Sequence, residues 1–287
     1  MKIGSYRVDL IPVTRFMADG GAAFGVIPRK IWSRAYPHAN DDNQIPMMAY
    51  ALLIRGKDAV VVVDSGCGNK MDAKWRKAVH PEDVNGGLIA QLSARGVQPE
   101  DVTHFVYTHL HFDHAGGATV LNSEGKAAPL FPRAKHFIQK SHLEWARKPS
   151  EKDRASFTPD NWEPVVAAGL MEILDGNQDL LPGIELRVVN GHTTGLQMVI
   201  VHGNYSAGSD ASGVAFIADL VPTAAHLPVY YVPAYDNYPL LSIEERRLFL
   251  GEAVAKNWVV VLGHDPFTPA MTLKPGPKGF EMDRQFF

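Results

Sequence analysis

The segment that most constrains this chain spans residues 105–117: Phe-Val-Tyr-Thr-His-Leu-His-Phe-Asp-His-Ala-Gly-Gly. A β-branched and aromatic run leads into a turn that carries three imidazoles and a carboxylate within six positions: His109, His111, Asp113 and His114. Alternation along an extended chain points His109 and His111 the same way, so two ring nitrogens can converge on one ion. Asp113 and His114 follow where the chain turns and can face a second ion. Imidazole and carboxylate together suit zinc and similar borderline divalent ions. A fold that uses these groups must deliver further donors to the same place.

Three later segments offer them. His192 follows the run 186–190 inside Gly-His-Thr-Thr-Gly, Asp219 closes Phe-Ile-Ala-Asp, and His264 closes Val-Val-Val-Leu-Gly-His. Each stands where a buried strand emerges, the usual position of site residues in layered α/β folds. With the first cluster they make five histidines and two aspartates, enough for two ions with a shared carboxylate. Ligands dispersed from 109 to 264 must converge, which predicts one domain over residues 1–287.

Short β-branched runs at 6–13, 49–54, 59–64, 105–108, 186–190, 198–202, 214–219 and 258–263 read as strands. Residues 86–95 read as a helix stopped by Gly96. Ser242-Ile243-Glu244-Glu245 reads as a capping box that opens a helix running to about 257. Strands interleaved with helices predict an α/β or layered α+β fold. Residues 14–48, with Phe24, Ile27, Ile31 and Trp32, read as a long irregular loop, a lid over the site or a dimer arm. Residues 147–164 read as a surface excursion, and the proline-containing tail 265–287 as extended or looped.

Composition removes several function classes. With 46% hydrophobic and 21% charged residues the chain is not disordered. A net charge of −3, from 28 basic and 31 acidic residues, supplies no field for nucleic acid or an anionic membrane. The lone Cys67 cannot form an internal disulfide and reads as a small buried filler. The start lacks a signal-peptide stretch, and the longest aliphatic run, 59–63, falls far short of the ~20 residues that span a bilayer. A cytoplasmic protein is the expectation.

The pattern His109-x-His111-x-Asp113-His114, followed by His192, Asp219 and His264, resembles the signature of the metallo-β-lactamase superfamily at all seven positions. Asp64-Ser65-Gly66 is similar to the Asp-x-Gly step that precedes it there. The resemblance implies an αββα sandwich with a dinuclear metal site at one edge. It implies that His109, His111 and His192 hold the first ion, Asp113, His114 and His264 the second, and that Asp219 bridges them. Two divalent ions per chain follow, with zinc the default and manganese, iron or cobalt compatible with the same groups.

Residue types discriminate within the superfamily. True class B β-lactamases carry cysteine where this chain has Asp219, and flavodiiron proteins carry glutamate where it has His111. The words around the signature, including 19–28, 218–226 and Asp236-Asn237-Tyr238-Pro239, look most like quorum-quenching lactonases. That subgroup implies opening of an N-acyl-homoserine lactone by metal-bound hydroxide. Asp113 is the candidate proton shuttle, and Asp64 reads either as a hydrogen-bond partner of a ligand imidazole or as a turn-forming residue before Ser65-Gly66. Well-studied members place a tyrosine three residues after the bridging aspartate, where this chain has Pro222; His226 or Tyr235 would then donate to the oxyanion. The alternatives are a phosphotriesterase or phosphodiesterase of the methyl-parathion-hydrolase type, a thioesterase of the glyoxalase II type, and a ligand-binding sensor. A small-molecule ester or lactone is the expected partner, with a homodimer compatible. The other histidines, His38, His80, His104, His136, His142 and His202, read as ordinary surface or core residues.

Overall fold

The computed structural model describes residues 1–203 and 211–287. The chain falls into two compact units, each assembled from two stretches: residues 1–16 with 48–176, and residues 17–47 with 177–287.

The first unit is built on a mixed sheet in the order Lys2–Ile3, Tyr6–Asp19, Gln44–Arg55, Val60–Val63, His104–Val106, Lys135–Gln139 and Met171–Leu174. The last four strands run parallel, with Val63 opposite Val106 and Val106 opposite Phe137. Parallel strands covered on both faces read as unbroken apolar runs, and Val61, Val62, Val63, Phe105 and Val106 are all fully buried. The core behind them joins Ile11, Val62, Leu92, Phe105, Phe131, Ile138 and Trp162.

The second unit carries a seven-stranded sheet in the order Gln178–Leu181, Ile184–Val189, Leu196–His202, Gly213–Phe216, Trp258–Val261, Ala270–Gly276 and Gly279–Phe286. Neighbours are antiparallel except Gly213–Phe216 and Trp258–Val261, which run parallel with Phe216 opposite Val261. Strands Ile184–Val189, Gly213–Phe216 and Trp258–Val261 therefore point the same way. Their C-terminal ends share one edge of the sheet.

All eight strands expected from the sequence form, and the structure corrects three segments. Residues 14–48 are not irregular: Tyr6–Asp19 and Gln44–Arg55 extend into them, with helices Gly20–Phe24 and Arg29–Ala35 between. Phe24 and Trp32 are buried inside the second unit, so they are not a surface for a substrate chain. Residues 147–164 are no surface excursion, because Phe157 and Trp162 sink into the first core. The tail forms the hairpin Ala270–Gly276 and Gly279–Phe286. Pro275 is tolerated there because it pairs only with Phe280 of the hairpin, while the neighbouring strand ends its pairing at Met271. The helix expected at 242 begins at Pro239, a residue pre-set for the first helical position, and runs to Ala255. Ser242 and Glu245 thus lie inside the helix, and their side chains serve other partners.

Candidate metal centre

Each potential ligand stands a fixed step beyond a strand. His109 lies three residues past Val106, His192 three past Val189, Asp219 three past Phe216 and His264 three past Val261. In the second unit, where the three strands share one edge of the sheet, the equal offsets deliver His192, Asp219 and His264 to one level.

In the first unit, Val60–Val63 ends at Asp64, a buried non-glycine residue at φ 57°. That left-handed turn costs energy and swings the carboxylate towards the neighbouring parallel strand. It accepts from the Thr108 backbone N–H at 2.8 Å, from the Thr108 hydroxyl at 2.7 Å, and from His114 Nδ1 at 2.8 Å. Burial pushes the Asp64 carboxyl up, and His114 and Thr108 oppose that shift. With Nδ1 of His114 donating to Asp64, its Nε2 is the nitrogen that offers a lone pair; it lies 3.9 Å from Asp113.

The one-turn helix Phe112–Ala115 follows, and its approach to the Asp64 loop explains two glycines. A Cβ on Gly116 would collide with the Cys67 carbonyl, and one on Gly117 with that of Ser65. His109 Nε2 and His111 Nδ1 face each other at 3.0 Å. A tetrahedral zinc ion with bonds of 2.0–2.1 Å spaces its ligands about 3.3 Å apart, so this pair is set for one ion.

Two further residues hold this half in place. His142, read from the sequence as a bystander, accepts the Leu110 backbone N–H through Nε2 at 2.8 Å, fixing the peptide between His109 and His111. Phe157 lays its ring 4.8 Å from that of His111 and pairs with it as an isolated β-bridge. Neither has a sequence signal, because both act across more than thirty residues. Cys67 is buried and free, as expected, and burial pushes its thiol up.

The second unit carries its own cluster. Asp219 sends one carboxylate oxygen to His192 Nε2 at 3.2 Å and the other to His264 Nε2 at 2.9 Å. Gly263 permits this, since a Cβ there would strike the Ala218 carbonyl and the Asp219 carboxylate. Ala218 itself sits at φ 44°, the strained step that turns Asp219 inward. His192 donates Nδ1–H to Asp236 at 2.9 Å, again leaving Nε2 as the lone-pair nitrogen. Asp236, buried behind His192, is a partner that spacing alone does not reveal.

Tyr235 stands edge-on to His192, with ring centroids 6.0 Å apart. His226 does not fit the oxyanion-donor role expected of it. Its ring is fully buried, with Nδ1 bonded to the Thr223 hydroxyl at 2.7 Å and Nε2 to the Ala23 carbonyl at 2.9 Å. Phe24 lies flat on it at 4.5 Å, and Trp32 stacks on Phe24 at 4.7 Å. Burial pulls His226 down to about 3, so the ring is neutral and locks helix Gly20–Phe24 to the Thr223 loop.

The donors in each unit fit divalent ions: imidazoles with Nε2 or Nδ1 presented, two of them backed by buried carboxylates, and carboxylates held at their sides. That chemistry defines a class, proteins that seat borderline divalent ions among histidines and aspartates. The chain belongs to the metallo-β-lactamase superfamily, whose family model matches residues 45–264, and the class is that of metal-dependent hydrolases.

Among relatives, the N-acyl homoserine lactonase AttM of Rhizobium radiobacter is 37% identical over 196 residues, covering 64% of this chain and 66% of its own. An N-acyl homoserine lactonase of Bacillus cereus is 24% identical over 176 residues, covering 55% of this chain and 60% of its own. The alignments span from 33% to 66% of the length of the first curated relatives. A probable metal-dependent hydrolase from Staphylococcus aureus shares the fold at TM-score 0.85 with 26% identity and full coverage of both chains. AidC, a dizinc quorum-quenching lactonase solved with a product, matches at TM-score 0.80 and 20% identity, covering all of this chain and 97% of its own.

Proposed function

We propose that this chain is a two-ion hydrolase that opens a lactone ring, with N-acyl-homoserine lactones as its substrate class. In this reading the two units act as one domain. His109, His111 and His192 hold one ion, Asp113, His114 and His264 hold the other, and Asp219 bridges them. The observation that carries the reading is Asp219, whose two oxygens address two different histidines, the disposition of a carboxylate shared between two ions.

Two ions so held, zinc by preference, would polarise a scissile carbonyl and bring the pKa of a water to near ~7. The protein supplies the rest. Asp64 and Asp236 fix the tautomer and ring plane of His114 and His192. Asp113, buried beside His114, accepts the proton of the attacking water and returns it to the leaving alkoxide. Tyr235 donates its phenolic O–H to the carbonyl oxygen as charge develops, the task that Pro222 cannot perform.

The lactone assignment draws its support from relatives named as lactonases. Among the described residues no helix is long and apolar enough to cross a membrane. A cytoplasmic setting remains the expectation. A homodimer is compatible with the exposed Val26 and Ile31 on the 17–47 stretch, 91% and 50% accessible. The testing experiment is a panel of acyl-homoserine lactones, a phosphotriester and a thioester, assayed with the zinc-loaded chain. The proposal expects kcat/KM for a lactone to exceed the others by at least about tenfold; a phosphotriester or thioester preference contradicts it.

A further inference from the structure

The helix Pro239–Ala255 carries a guanidinium where an apolar side chain would be easier to bury. Arg246 is completely inaccessible to solvent. Its Nε donates to the Leu220 carbonyl at 2.6 Å, its Nη1 to the Tyr231 carbonyl at 2.7 Å, and its Nη2 approaches Asp236 at 3.5 Å. Removing such a charge from water costs several kcal/mol, and apolar replacements of buried ion pairs are often neutral or stabilising. Stability alone therefore does not account for an arginine here. What the guanidinium uniquely supplies is a planar fork that reaches three directions at once.

Those directions coincide with the second unit's ligands. Leu220 is the residue after Asp219, and the Nε bond anchors its carbonyl, at the exit of the single turn Ala218–Leu220 that carries the Asp219 carboxylate. Asp236 is the acceptor of His192 Nδ1–H, so the Nη2 contact holds the group that orients that imidazole. The same helix adds two further attachments. Ser242 donates to Asp236 at 2.7 Å, and Glu245 accepts the backbone N–H groups of Asn190 and Gly191 at 2.7 and 2.8 Å, just before His192. Gly191 has no side chain because Ser242 occupies the space a Cβ would need.

We propose that Arg246 is a positioning residue that sets the metal affinity of this chain, by holding Asp219 through the Leu220 carbonyl and His192 through Asp236. The proposal rests on the reading of His192 and Asp219 as ligands. Arg246 touches neither substrate nor metal; it acts through the residues that do. Lysine cannot replace it, because a single ammonium cannot reach all three acceptors.

The test is a cobalt(II) titration of the metal-free full-length chain against a chromophoric chelator, for wild type, Arg246→Lys and Ser242→Ala. Visible absorption of the bound cobalt and thermal unfolding of the metal-free protein are recorded alongside. Arg246→Lys is expected to fold and to bind cobalt about 10–100-fold more weakly, with an altered visible spectrum. A folded Arg246→Lys variant whose affinity and spectrum match wild type, even with a lowered melting temperature, overturns the proposal by reducing Arg246 to packing. If Arg246→Lys does not fold, Ser242→Ala decides. It removes one bond to Asp236 and should weaken binding about fivefold, whereas wild-type affinity overturns the proposal. Wild type serves as the separate check on the site: if it binds no cobalt, the metal reading fails and the inference with it. Binding by wild type with an indifferent arginine defeats the inference alone.

Discussion

Asp64 and His114 meet at 2.8 Å across fifty residues of sequence, and the pair is buried. The contact exists because Asp64 takes a left-handed turn at the end of one parallel strand while Thr108 leaves the next. One carboxylate thereby fixes both the exit of the histidine-bearing segment and the tautomer of His114.

Asp64→Asn should fold, since asparagine tolerates the same positive φ. It loses the charge that backs His114, and zinc affinity should fall about 10–100-fold. Asp64→Ala should also lose roughly 2–4 kcal/mol of stability, because the Thr108 N–H and the His114 N–H are left buried without an acceptor. Urea unfolding of the metal-free variants separates the two effects.

Glycine substitutions offer a matched pair. Gly263→Ala drives a Cβ into the Ala218 carbonyl and the Asp219 carboxylate, and kcat/KM should drop by more than about tenfold as Asp219 is displaced from its proposed place between two ions. Gly251→Ala, in the helix Pro239–Ala255, meets nothing closer than Phe280 at 4.0 Å. It should raise stability by about 0.5–1 kcal/mol through helix propensity.

His136 gives the pH dependence a sign. Burial among Phe105, Tyr107 and Phe131 pulls it down to about 4, below the unfolded value of ~6.5. Between those values the unfolded chain binds the extra proton, so stability falls as pH drops from 6.5 towards 4. At pH 4.5 the loss from this residue is roughly 2–3 kcal/mol. The difference between wild type and His136→Phe in urea, at pH 7 and pH 4.5, isolates it; an equal pH dependence in both chains contradicts the assignment.

Tyr235 and His226 should separate by readout. Tyr235→Phe removes the donor assigned to the oxyanion and should lower kcat by about 10²-fold with a smaller change in KM. His226→Phe keeps the stack on Phe24 but strands the Ala23 carbonyl and the Thr223 hydroxyl. Its effect belongs in stability, about 1–3 kcal/mol by thermal unfolding.

The sequence exposes the parts of this architecture that repeat locally. Val60–Val63 and Trp258–Val261 are apolar throughout, and His264 stands just past the second of them, so strand ends and donor side chains can be read together. Residues that act across the fold leave no such trace. His142, Asp236, Phe157 and Arg246 look like ordinary side chains until the chain is folded, because each acts on a segment distant in sequence or through a backbone group. The Ser242–Glu245 pair has the pattern of a helix cap, yet Pro239 already starts the helix and both side chains are drawn to the loop before His192 and to Asp236. Burial likewise reverses the reading of His226, whose position a few residues after Asp219 suggests a donor while its ring nitrogens are taken by the Thr223 hydroxyl and the Ala23 carbonyl.

The proposed function requires that one chain hold two divalent ions through seven side chains. The direct measurement is the number of zinc equivalents retained per chain after saturation and removal of excess, for wild type and Asp219→Ala. Two equivalents for wild type, with loss of at least one in Asp219→Ala, is the predicted result; one equivalent or none in the wild-type chain contradicts it.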